Sequence, residues 1–133
     1  MGAKIVGYSL NPISKPSLFD DCKLKKYLIK DVRSNILNYN KLKKCVSDFK
    51  PDIFIHLAAQ SSVLESYKTP RETLETNISG TSNILHILKD SKSVKSAIIV
   101  TTDKVYLNLE KKKNSTNLEI FSMQFLHSCA FSI

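Results

Sequence analysis

Ile53-Phe54-Ile55-His56-Leu57-Ala58-Ala59-Gln60 is the stretch that decides the fold. Pro51-Asp52 precedes it, its first six residues are almost continuously apolar, and small and polar residues follow. Its β-branched and aromatic side chains give the pattern of a strand buried on both sides in a parallel sheet. Ser96-Ala97-Ile98-Ile99-Val100-Thr101-Thr102 repeats the pattern. A helical segment lies between the two runs, so together they read as a βαβ unit.

The flanking segments extend that unit. From Tyr39 to Phe49 the apolar positions Leu42, Cys45, Val46 and Phe49 recur at helical spacing. Pro70, after Thr69 as cap, opens a long helix with Leu74, Ile78, Thr81, Leu85 and Leu88 along one face. Ala3 to Tyr8 reads as a strand entering a turn at Asn11-Pro12, and Tyr27-Leu28-Ile29 as a second short strand ending at Asp31. Residues 11–26 read as a polar connection. The order β, β, α, β, α, β predicts an α/β fold with a doubly wound parallel sheet and right-handed crossovers. Residues 1–106 form the expected domain. Residues 107–133 begin Lys/Asn-rich and end in an apolar stretch without period, an expected poorly ordered tail.

Bulk properties narrow the function classes. The chain of 133 residues, 42% hydrophobic, suffices for one domain with a core. No window reaches the ~20 apolar residues of a membrane span, and no signal peptide is recognisable, so a cytoplasmic protein is expected. The net charge is +8, yet all of the 20 basic residues except Arg33 and Arg71 are lysines. They are scattered or in short runs without interleaved aromatics, which favours a solvated surface over a nucleic-acid interface. Cys22, Cys45 and Cys129 form no metal-ligand spacing, so no metal is expected.

In open α/β sheets ligands bind beyond the carboxyl ends of the strands. The informative residues are therefore Tyr8-Ser9-Leu10, Asp31-Val32-Arg33, Ala58-Ala59-Gln60, and Thr101 to Tyr106. Here the chain carries a resemblance. HLAAQ (56–60), then SYxxPxETxxTNxxGT (66–81), then TTDKVY (101–106), resembles the extended short-chain dehydrogenase/reductase family. GYSLNP (7–12), PSLF (16–19) and Lys104 are similar to its CDP-glucose 4,6-dehydratase branch in particular. The resemblance covers residues 2–108.

The resemblance implies a Rossmann-like domain, NAD as cofactor, a nucleotide-sugar substrate and frequent homo-oligomers. Such enzymes oxidise the sugar at C4, eliminate water across C5 and C6, and return the hydride to C6. Carried over by position, Asp31 would hydrogen-bond the adenine and Val32 lie against it. Leu57, Ala58 and Ala59 would pass close to the ribose and phosphates. Asn77, on the helix facing the active site, would contribute to cofactor binding, with Gln60 on the substrate. Thr102 would hold the sugar O4, Asp103 protonate the departing C6 hydroxyl, and Lys104 act at the C5 proton. Dehydration needs such a donor and acceptor on one substrate.

Plainer readings stand beside these. Asp31 suits a strand-end turn, Asn77 a bond within its own helix, and Thr102-Asp103 a strand-to-loop transition. His56 reads as a satisfied core histidine. Tyr39 and Lys43 have the spacing of the family's catalytic Tyr-x-x-x-Lys pair, but precede the HLAAQ strand and read as a chance match. Other nucleotide-sugar epimerases, reductases and dehydratases, or a non-catalytic basic binding module, are the rival functions.

Three departures follow from comparison with the family. Gly2, Gly7 and Gly80 are the only glycines, and none makes the phosphate-binding turn that the family places in its first βα unit. No Tyr-x-x-x-Lys pair follows TTDKVY. Leu64 and Glu65 stand where relatives carry a basic residue. The chain is thus expected to be an inactive fragment whose absent first strand belongs between those at Ala3 and Ile53. Two open edges would make the monomer marginal or aggregation-prone, and a cooperative thermal transition of the isolated monomer would contradict this.

Overall fold

A computed structural model describes residues 2–100 of the chain. In chain order the elements are β1 (Ile5–Ser9), α1 (Leu18–Asp21), a 3-10 turn (Leu24–Tyr27), β2 (Leu28–Arg33) and α2 (Tyr39–Phe49). They continue with β3 (Ile53–His56), α3 (Val63–Lys68), α4 (Pro70–Leu74), a π-turn (Glu75–Ser79), α5 (Gly80–Asp90) and β4 (Ser96–Ile99). The β- and α-segments expected from the sequence are all present, with α1 added in the stretch expected to be a connection and α3 in a stretch for which no element was expected. Each of these two short helices starts at a serine whose hydroxyl accepts a backbone N–H, from Asp20 on Ser17 and from Glu65 on Ser62.

The strands pair in parallel, β1 with β2 and β3 with β4, as two separate two-stranded sheets. At the foot of the second, Lys95 and Ser96 donate backbone N–H groups to the Asp52 carbonyl, and Lys95 Nζ lies 2.7 Å from the Asp52 carboxylate. That hydrogen bond and charge hold the Asp52 carboxyl below its ordinary range.

Both sheets share one helical layer. Ile36, Leu42, Val46, Ile84 and Ile87 form the buried cluster, and Tyr8 of β1, Phe54 of β3 and Ile99 of β4 pack onto it. Gly80 lets α5 come this close, because a Cβ there would overlap the Ile36 side chain. The Asn83 amide donates to the Ile36 carbonyl (3.2 Å), fastening α5 to the segment before α2.

Two expectations require correction. The runs at Ile53 and Ser96 are not buried on both sides, because α2 and α5 lie on the same face. On the other face Ile53, Ile55, Leu57 and Ile98 are each at least half exposed. The long helix also buries a different stripe from the one its leucines suggest. Thr73, Asn77, Thr81, Ile84 and Ile87 are buried, whereas Leu74, Ile78 and Leu85 are exposed. Polar groups that hydrogen-bond the β3 loop occupy the inner stripe, and the π-turn alters the helical phase part-way along.

Candidate functional site

Parallel pairing puts the carboxyl ends of neighbouring strands at one edge. Asp31, Val32 and Arg33 end β2, in register with Gly7, Tyr8 and Ser9. Leu57, Ala58, Ala59 and Gln60 leave β3 beside the end of β4, where the Val100 N–H donates to the His56 carbonyl (3.1 Å). Thr102, Asp103 and Lys104 lie outside the described residues.

Arg33 organises the first of these strand ends. Its Nε and Nη2 contact Asp31 Oδ2 at 2.9 and 2.8 Å. Nη1 donates to Ser9 Oγ (2.9 Å) and to the Leu10 carbonyl (2.6 Å), while the guanidinium sits over the Phe19 ring. Asp31 is therefore an anchor for Arg33 as well as a candidate adenine contact. Both contacts use Oδ2, and Oδ1 lies on the Gly7 side.

The loop after β3 is held by a polar network. Asn77 in the π-turn is 1% exposed. Its Oδ1 accepts the Gln60 backbone N–H (2.9 Å), and its Nδ2 donates to the Gln60 carbonyl (3.1 Å). One side-chain amide thus satisfies both main-chain groups of a residue where the ladder has ended, which an isolated loop could do only with water. Gln60 Nε2 donates to Thr73 Oγ1 (3.0 Å) and the Ser62 carbonyl (3.2 Å), and Gln60 Oε1 accepts the Ser62 N–H (2.6 Å). Asn77 accordingly bonds across to another element rather than only within its own helix, and the Gln60 side chain shapes its loop. Sequence reading named Arg33 only as a strand-end residue of Asp31-Val32-Arg33 and Thr73 only within the 66–81 string, and gave neither a role; the roles come from the fold.

His56 is a satisfied core histidine, 2% exposed. The Thr81 hydroxyl donates to the Asn77 carbonyl (2.6 Å), so it accepts from His56 Nε2 (3.3 Å), which must then carry the ring proton. Burial pushes the ring's pKa below its ordinary value of 6.5. The unfolded ring therefore takes up a proton before the folded one does. Stability is expected to be full above about pH 6.5 and to fall as the pH drops below it, until the folded ring itself protonates. The urea midpoint measured from pH 7.5 to pH 5 should show this slope, and His56→Gln should flatten it. An unchanged slope in the variant would assign the effect to other groups. Tyr39, by contrast, packs on the core and against His86, with Lys43 over its ring, a structural use of the fortuitous Tyr-x-x-x-Lys string.

At these strand ends Ala58 and Ala59 are small and partly buried, and Asp31 is fixed in direction. Gly7 lies within β1 and Gly80 in α5, and no described glycine has positive φ, so these residues make no phosphate-binding glycine turn. Among the described residues there is no cluster able to hold a metal ion and no helix long and apolar enough to cross a membrane.

Residues 16–121 match the family model described as GDP-mannose 4,6 dehydratase. The chain is 37% identical over 110 residues to CDP-glucose 4,6-dehydratase of Salmonella typhimurium, covering 83% of this chain and 30% of that enzyme. It is 40% identical over 85 residues to dTDP-D-glucose 4,6-dehydratase of Dictyostelium discoideum, covering 64% of this chain and 19% of the relative. The crystal structure of dTDP-glucose 4,6-dehydratase from Bacillus anthracis in complex with NAD has a TM-score of 0.58 and 22% identity, covering 85% of this chain and 33% of that one. That likeness supports the Rossmann-like α/β fold. The chain spans less than a third of the length of these two curated relatives. Since the family model matches most of the chain, the protein belongs to the nucleotide-sugar 4,6-dehydratase and epimerase family, within the extended short-chain dehydrogenases/reductases.

Proposed function

We propose that this chain is part of an NAD-dependent nucleotide-sugar 4,6-dehydratase acting on CDP-glucose in the cytoplasm, and that by itself it turns over no substrate. The observation that carries the reading is the parallel β3–β4 pair, which puts the carboxyl ends of both strands, at His56 and Ile99, at one edge. In this reading Asp31 and Val32 hold the adenine, Leu57, Ala58 and Ala59 border the ribose and phosphates, and Gln60 borders the sugar. Asn77 fixes the Gln60 backbone beside the cofactor. Thr102 holds the sugar O4, Asp103 protonates the leaving C6 hydroxyl, and Lys104 acts at the C5 proton. NAD, when bound, takes up the C4 hydride and gives it back at C6. The CDP-sugar assignment draws on Lys104, on the 7–12 string and on the relative at 37% identity; the whole protein is read as a homo-oligomer.

Titrating the labelled chain with NAD, and separately with CDP-glucose, tests the reading. Amide shifts are expected at Ser9-Leu10, Asp31 to Ser34 and Leu57 to Gln60. Asp31→Ala should weaken NAD binding roughly tenfold, the scale of one hydrogen bond to a charged group. No shifts at these strand ends, or shifts confined to the lysine-rich helix surfaces, would refute it. Equal responses to UDP-glucose and CDP-glucose would leave an epimerase or a dehydratase of another nucleotide sugar as the better assignment.

A further inference from the structure

Among the described residues a cavity of about 430 Å³ opens where α2 and α5 end, within the ~300–1,000 Å³ of small-molecule sites. α2 leads into the start of β3 and α5 into the start of β4. The cavity therefore lies at the amino ends of those strands, on the edge opposite Ala58 to Gln60. Its floor is apolar, made by Val46 and Ile87, 7% and 4% exposed. Around them stand the exposed Lys43, Lys50 and Lys92, with Asp90 the one acid in the lining.

These lysines differ from their neighbours in charge pairing. Lys44 and Lys95, outside the lining, are matched to Asp48 and Asp52 at 3.0 and 2.7 Å. Among the described residues Lys50 and Lys92 are in no ion pair, and Lys43 rests over the Tyr39 ring. Lys50 also takes the left-handed conformation (φ 43°, ψ 59°) just after α2, where glycine or asparagine commonly stands. Its N–H caps the Val46 carbonyl, as a glycine's would, so the lysine side chain adds only charge and reach. The lysines outweigh Asp90 and the roughly half negative charge at each helix end, which leaves the cavity positive. Half-buried Ser91 and Ser93, their Oγ atoms 3.2 Å apart, add hydroxyl donors.

We propose that this cavity is a second ligand site, for a small organic phosphate. Its anionic oxygens meet Lys50, Lys92 and the serine hydroxyls, and its apolar body covers Val46 and Ile87. Ammonium groups and hydroxyls suit a phosphate as point charges and donors. A neutral ligand would leave the lysines unused, and a bare anion would leave the apolar floor wet. The site shares no residue with the strand ends assigned to the nucleotide, so it stands or falls apart from the dehydratase reading.

The probe is phenyl phosphate, titrated into the labelled full chain beside inorganic phosphate and phenol. Phenyl phosphate should shift the Ser47, Lys50 and Ser91 to Ser93 amides saturably. It should bind about tenfold tighter than inorganic phosphate, the scale of burying one ring face, and phenol should leave these amides unmoved. Lys50→Gln and Lys92→Gln should each weaken phenyl phosphate about threefold, the range of an exposed ion pair, and Asp90→Asn should tighten it. Lys89→Gln, the same charge change on α5 outside the lining, should not alter it. The comparison of the two phosphates needs no variant, so it decides the matter even if a substitution unfolds the chain. The proposal is overturned by equal binding of the two phosphates, by shifts spread over Lys25, Lys26 and other remote lysines, or by a loss in Lys89→Gln equal to that in Lys92→Gln.

Discussion

Asn77→Ala is expected to lower the unfolding free energy by about 3 kcal/mol, since each buried main-chain group left unsatisfied costs about 1–3 kcal/mol. The alanine deletes the acceptor for the Gln60 N–H and the donor to its carbonyl, in a place where the side chain is 1% exposed and water has little access. Whole domains are stable by only about 5–15 kcal/mol, so a chain with five buried apolar residues among those described should lose much of its folded population. Urea unfolding gives the free energy, and exchange of the Gln60 amide gives the local cause. If the stability falls but the Gln60 amide stays protected, the amide clamp is not what Asn77 contributes. A variant that matches the parent within about 0.5 kcal/mol, the range of ordinary surface substitutions, would sink the idea outright.

Ile84→Ala should be as damaging for a different reason. Ile84 is 2% exposed among Ile36, Leu42, Val46 and Ile87, and such truncations cost about 2–5 kcal/mol through lost burial and the cavity left behind. Leu85→Ala is the matched control: it lies next in sequence but is 52% exposed, so its effect should stay within about 0.5 kcal/mol. Unfolding the two variants side by side tests the helix phase directly. A larger loss for Leu85→Ala would restore the stripe of Leu74, Ile78 and Leu85 that spacing alone suggests.

That stripe shows where sequence reading stopped. The strands were legible because short β-branched runs bounded by Pro, Asp or Asn have few alternatives, and α2 was legible because Leu42 and Val46 recur at helical spacing and are in fact buried. The phase of α5 was not, because periodicity weighs apolar residues, whereas Thr73, Asn77 and Thr81 face inward to satisfy the β3 loop and His56. Burial of Ile53 and Ile55 was overstated because an apolar run does not specify which side has a neighbour. The strand-end positions of Asp31 and of Leu57 to Gln60 followed from the general rule for open sheets. The reach of Arg33 to Ser9 did not, since it depends on the parallel register that sets these two residues opposite each other.

Arg33 has one more consequence. Because it stitches Ser9 and Leu10 to Asp31, the turn leaving β1 is ordered as the chain folds. Under the proposed reading, an arriving adenosine would meet a rim already rigid, and the freedom that a loose turn would surrender on contact would have been given up beforehand.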